Sequence, residues 1–226
     1  MLFNSYEFLF LFLPITLIVF FAIARTDKRM ASTWLVGASL FFYGWWNPPY
    51  LGIILCSILF NFVVGSVLND DNEKWPRKMV LTCGIVANLV LLGYYKYANF
   101  FVDSANAVLG DVFLLDSILL PLAISFFTFQ QIAYLIDTYR GETKELDFLH
   151  YCLFVTFFPQ LIAGPIVHHK EMLSQFARAS LYSVNIRRHA VGYTIFTLGL
   201  FKKVVLADGI AAYATQLFML PIAVLH

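Results

Sequence analysis

Five apolar blocks, each close to the length a helix needs to cross a bilayer, alternate with short polar stretches along the first 147 residues. They run from about Tyr6 to Ala24, Ala31 to Trp46, Leu51 to Leu68, Met79 to Phe101 and Ser117 to Ile136. The polar punctuation is abrupt: R-T-D-K-R-M at 25–30, D-D-N-E-K-W-P-R-K at 70–78 and D-T-Y-R-G-E-T-K-E-L-D at 137–147. W-W-N-P-P-Y at 45–50 ends the second block differently, with aromatic rings suited to the headgroup level and two prolines that cannot continue a helix. Each block therefore predicts a membrane helix. After residue 147 the rhythm changes, because F-F-P-Q-L-I-A-G-P-I-V-H at 157–168 is apolar yet broken by Pro159, Gly164 and Pro165. A polar region to His189, a short apolar run at 190–201 and a last apolar block from about Val204 to Leu225 complete the pattern.

Composition strengthens this picture. Of 226 residues, 60% are hydrophobic and 13% charged, far from the roughly half and quarter of soluble domains. The expected class is all-α: a polytopic membrane protein of about six or seven transmembrane helices plus a re-entrant segment near 150–167. The first block lacks a basic leader and a small-residue cleavage site, so it is expected to remain as an anchor. A net charge of +1 gives no field for nucleic acid. Cys56, Cys83 and Cys152 lie in apolar blocks without metal-ligand spacing and are expected to act as small hydrophobes in buried helices. No phosphate loop, metal set or Ser/His/Asp arrangement is present.

The basic residues set an orientation. Arg25, Lys28 and Arg29, then Lys74, Arg77 and Lys78, then Arg140 and Lys144, fall in alternate loops, whereas 47–50 and 102–116 hold no Lys or Arg. The N-terminus is thus predicted outside and the basic loops in the cytoplasm. Lys170, Arg178, Arg187 and Arg188 make the following segment, 168–189, cytoplasmic as well. Two cytoplasmic flanks cannot be joined by one complete crossing, so 150–167 is expected to dip in and return. A proline-kinked spanning helix with a displaced charged loop is the alternative.

Three stretches carry a resemblance to a known family. L-P-L-A-I-S-F-F-T-F-Q-Q-I-A-Y-L-I-D-T-Y-R-G (120–141), F-F-P-Q-L-I-A-G-P-I-V (157–167) and G-L-F-K-K-V-V-L-A-D (199–208) resemble the membrane-bound O-acyltransferases. The bacterial polysaccharide branch fits best, above all its alginate O-acetylation type, with the teichoic acid D-alanylation type less similar. The resemblance implies an inner-membrane enzyme with a tunnel, moving an acyl group from a cytoplasmic thioester such as acetyl-CoA toward an exopolysaccharide hydroxyl. It implies no bound cofactor or metal, and as partners the bilayer, a periplasmic acetyltransferase and a polysaccharide-synthesis complex. The family's catalytic histidine belongs to a W-R-x-W-H-type segment, which none of His150, His168, His169, His189 and His226 matches. Residues 1–226 are accordingly expected to be one membrane domain, the N-terminal part of such an enzyme, with no catalytic residue of its own. A non-catalytic remnant or assembly subunit is the alternative, and a transporter or flippase the reading that composition alone would also allow.

The candidate site residues each have a plainer reading. Pro159, Gln160, Gly164 and Pro165 are expected to line the tunnel, although a buried amide such as Gln160 equally serves to fix a hairpin. His168, His169 and Lys170, with Lys202 and Lys203, are candidates for holding donor phosphates; a basic face on anionic headgroups explains them too. The run 190–201 is too short to span and could lie in the interface. Gln130 and Gln131, inside a span, are expected to make interhelical hydrogen bonds.

Overall fold

The computed structural model describes residues 1–45, 47–70, 75–110, 118–143, 147–161, 164 and 169–211, and only the backbone of 169–171, 173 and 179. The described residues are helical with no strand. The helices are α1 (Leu13–Ala24), α2 (Lys28–Gly44), α3 (Tyr50–Asn69), α4 (Arg77–Leu109), α5 (Ile124–Tyr139), α6 (Phe148–Thr156), α7 (Phe158–Leu161), α8 (His169–Phe176) and α9 (Ile186–Phe201). A π-helical turn, Phe8–Phe12, opens α1 just before Pro14, whose missing N–H makes a regular ladder impossible there. A 3₁₀ turn, Ala179–Tyr182, and a second π-helical turn, Lys202–Ala207, complete the inventory.

Among the described residues, three helices are long and apolar enough to cross a bilayer: Tyr50–Asn69, Arg77–Leu109 and the continuous stretch Ile186–Ala211. Phe8–Ala24 is a shorter apolar helix. The last of the three departs from expectation. The π turn carries the helix through Lys202 and Lys203, so 190–201 is the middle of a 26-residue helix instead of a short interfacial run. α4 also runs eight residues past the expected end at Phe101, and α5 begins at Ile124, after Pro121 and the left-handed Ala123 (φ 58°).

The loops named by their charges are the ones that cap. Asp27 accepts from the backbone N–H of Arg29 at 2.7 Å, Asp147 from Leu149 at 2.9 Å and Asn185 from Arg188 at 3.1 Å. α5 ends at Gly141, whose φ of 76° suits a residue without Cβ. Glu142 N–H donates to Asp137 O at 2.9 Å and Gly141 N–H to Thr138 O at 3.0 Å, the paired bonds of a Schellman ending.

Contacts divide the chain into two units, Val19–Tyr182 and Met1–Ile18 with Ser183–His226. In the larger unit α5 packs on both α3 and α4, and α2 lies along α6. Glycines permit the close crossings. A Cβ at Gly65 of α3 would sit 2.4 Å from the Tyr134 hydroxyl, and one at Gly84 of α4 would sit 2.9 Å from Leu135. One core gathers Ile54, Ile58, Phe127, Tyr134, Leu135 and Tyr151; another gathers Phe20, Ala31, Leu35 and Leu153. In the smaller unit the Phe8 and Phe196 rings lie 6.5 Å apart, and no residue of α9 is buried. Cys152 is buried as expected, but Cys56 and Cys83 are exposed.

Candidate functional site

The broken segment is two short helices end to end. α6 has nine residues, about 14 Å of rise, roughly half the hydrocarbon thickness of a bilayer. It stops at Phe157, and α7 restarts at Phe158 with Pro159 in its first turn, where a missing N–H costs nothing. The break frees two backbone groups that a continuous helix would pair, the Phe154 carbonyl and the Phe158 N–H. Gln130 of α5 donates its Nε2 to the Phe154 carbonyl at 2.7 Å, and the Phe158 N–H donates to Ser39 Oγ of α2 at 3.3 Å. Neighbouring helices thus supply both missing partners, the condition under which an interrupted helix survives in an apolar medium.

The two flanks of this segment meet the same end of α2. Ahead of it, Asp147 pairs with Arg29 at 3.6 Å. Behind it, the Tyr182 hydroxyl lies 3.3 Å from Ser32 Oγ, and Lys28 sits 5.8 Å over the Tyr182 ring. The break itself lies further along α2, where Ser39 holds Phe158 and the Phe42 and Phe158 rings are 5.4 Å apart. Lys28 to Ser39 is about 16 Å of helix rise. Phe157 also meets Phe176 of α8 at 5.5 Å, edge to face.

Of the residues singled out by sequence, Pro159, Gln160 and Gly164 come together. Gly164 N–H donates to the Gln160 carbonyl at 2.9 Å, and a Cβ on Gly164 would lie 2.7 Å from the Gln160 Cα. Pro159 is exposed and Gln160 and Gly164 are half-buried. Pro165 and His168 lie outside the described residues; His169 and Lys170 open α8. Lys202 and Lys203 are exposed in the other unit, where Lys203 pairs with Asp208.

A second polar constellation was not read from the sequence as a group. Ser57 and Asn61 of α3, Asn88 of α4 and Gln131 of α5 form a buried network. Asn61 and Asn88 exchange side-chain hydrogen bonds, Nδ2 to Oδ1, at 3.1 and 2.6 Å. Gln131 Oε1 accepts from Ser57 Oγ at 2.7 Å and from Asn61 Nδ2. Asn88 also donates to its own helix at Gly84 O, 2.8 Å. Ser57 and Asn88 contribute the polar part of an otherwise apolar groove of about 390 Å³ between α3 and α4, lined also by Gly52, Cys56, Phe60 and Leu91. The expectation of interhelical bonds from Gln130 and Gln131 is met by both. The available signal for the rest was a lone Asn in the middle of an apolar block, twice.

Comparison with known proteins completes the description. Residues 140–223 match the model of MBOAT, the membrane-bound O-acyltransferase family. The chain is 42% identical to the peptidoglycan O-acetyltransferase of Helicobacter pylori over 95% of its own length and 46% of that protein. It is 37% identical to the probable alginate O-acetylase of Azotobacter vinelandii over 97% of its length and 44% of that protein. Similarity to the teichoic acid D-alanyltransferase of Lacticaseibacillus rhamnosus is lower, 28% over 51% of this chain. The chain thus spans a little under half the length of the O-acetyltransferases it matches. No solved structure matches. By these matches, which take in α6 to α9 through the family model and nearly the whole chain through its relatives, the protein belongs to the membrane-bound O-acyltransferase family.

Proposed function

We propose that this chain forms the N-terminal membrane portion of an O-acetyltransferase acting on a cell-envelope polysaccharide. The observation that carries this reading is sequence identity of 37–42% over 95–97% of the chain to proteins named for acetylating peptidoglycan and alginate. The donor is a cytoplasmic acetyl thioester of the acetyl-CoA type. Its C–S bond breaks, an ester C–O bond forms on the acceptor, and the acceptor's proton ends on the thiol. Acceptor and periplasmic acetyltransferase partner lie across the inner membrane, with the N-terminus outside. The general base is the histidine of the W-R-x-W-H-type segment, which these 226 residues do not contain. Their role is to build the wall beside it.

Within that wall, residues 150–167 form a re-entrant hairpin. Its support is that Asp147 and Tyr182 both meet the Lys28–Ser32 end of α2 while Phe158 reaches Ser39. Pro159, Gln160, Gly164 and Pro165 line the acyl path at the turn, and His168, His169 and Lys170 meet the donor's phosphates where the chain returns to the cytoplasm. Lys202 and Lys203 act with them.

The test is acetyl transfer from radiolabelled acetyl-CoA to peptidoglycan or alginate in membranes. The chain is assayed alone and co-expressed with the downstream half of an O-acetyltransferase relative. Transfer restored by co-expression, and abolished by a histidine substitution in the downstream half, is the expected result. Label in polymer from the chain alone would make it self-sufficient. No transfer in either arm, with both polypeptides in the membrane, contradicts the reading and leaves the non-catalytic assembly subunit in its place.

A further inference from the structure

α5 is inverted relative to a helix of a soluble protein. Six of its nine buried residues are polar, Thr128, Gln130, Gln131, Tyr134, Asp137 and Thr138, whereas Phe126 and Phe129 face outward. Polar side chains inside a membrane bundle are costly unless each finds a partner. Most do. Gln130 holds Phe154, Thr138 bonds back to Tyr134 O at 2.8 Å, and Gln131 Oε1 accepts two bonds.

Three atoms beside them are different. Gln131 Nε2, Thr128 Oγ1 and Tyr151 Oη are all buried and have no hydrogen-bond partner among the described residues. Gln131 cannot be relieved by exchanging its amide O and N, since its oxygen already accepts from Ser57 and Asn61. Thr128 is equally pointed. Thr33, Thr82, Thr138, Thr156 and Thr194 each bond to the carbonyl one turn back, and Thr128, also mid-helix, does not. Thr128 and Gln131 are three apart on one face, and Tyr134 is three further on. The Tyr134 and Tyr151 rings pack at a tilt of 43° with centroids 4.5 Å apart. The Tyr134 ring fits there only because Gly65 has no Cβ, which would otherwise reach within 2.4 Å of its hydroxyl.

We propose that the buried face of α5 between Thr128 and the Tyr134–Tyr151 pair is a water site within the membrane bundle. Water is the ligand whose chemistry fits: it both donates and accepts, and one or two molecules reach between groups a helical turn apart. Each of the three orphaned atoms would otherwise cost about 1–3 kcal/mol, and buried waters characteristically take up such groups, making about three bonds each. The site joins α5 to Tyr151 of α6 and does not depend on the acyl-transfer reading.

The test is X-ray hydroxyl-radical footprinting of the full chain in nanodiscs, read by mass spectrometry, because radicals form from waters bound next to a side chain. Tyr134 and Tyr151, although buried, are expected to oxidise several-fold faster than Phe20, buried in the second core, after correction for intrinsic reactivity. Gln131→Leu and the isosteric Thr128→Val should each bring that rate toward the Phe20 level. Tyrosine oxidation at the Phe20 level in the unmodified chain overturns the proposal. So does fast oxidation that neither substitution changes. If Gln131→Leu does not fold, Thr128→Val, which changes no volume, decides.

Discussion

α5 and α9 are both sixteen residues long and rich in apolar side chains, yet nine residues of α5 are buried and none of α9. Apolarity does not explain the difference, because lipid tails are as apolar as leucine and do not drive helices together. Within the larger unit, polar groups tie α5 to its neighbours. Gln130 and Gln131 cannot satisfy their amides within their own helix, and they are answered by α6 on one side and by α3 on the other. Thr194 of α9 meets its need internally, at Ala190 O, 2.8 Å. A helix carrying amides such as Gln130 and Gln131 is thereby tied to two neighbours, α6 and α3.

The two helices should respond differently to substitution, most strongly at the tightest crossing. Gly65→Ala places a methyl group against the Tyr134 ring and is expected to cost about 1–3 kcal/mol, read as a lower thermal midpoint in detergent. The matching change in α9, Gly192→Ala, meets nothing within 4 Å and should cost nothing, gaining up to about 1 kcal/mol. An equal loss at both sites would show that α9 is as closely packed as α5.

Removing the polar demand comes next. Gln130→Leu leaves the Phe154 carbonyl buried without its amide, for an expected loss of about 1–2 kcal/mol. Protection from hydrogen exchange should fall locally across 154–161, while α9 is unaffected. Thr194→Val removes only an internal bond and should stay within about 0.5 kcal/mol. Smaller still is the entry into α5. Ala123 holds a left-handed φ of 58°, so Ala123→Gly should be neutral or stabilise by up to about 1 kcal/mol, read in the same melts.

The sequence made the helices legible because their boundaries are chemical: Asp27, Pro49, Asp147 and Gly141 mark ends that the structure keeps. It also made the break at Pro159 legible. What it hid were partnerships. Ser57, Asn61 and Asn88 are single polar letters in apolar runs, and their partners lie 27 to 74 residues away. Gln160 drew attention as the one amide in the broken segment, yet the amide that holds the freed carbonyl is Gln130, 24 residues before Phe154. The run 190–201 read as too short to span, because nothing local announces that a π turn carries the backbone on through Lys202 and Lys203.

The proposed hairpin requires residues 150–167 to enter and leave the membrane on one face. Single cysteines at Glu142 and Gln175, both exposed, in a background with Cys56, Cys83 and Cys152 replaced, can be labelled with a membrane-impermeant maleimide. With the hairpin in place, both react in inside-out vesicles and neither in right-side-out cells. Reaction of one position from each side would mean that the segment crosses completely, and would contradict it.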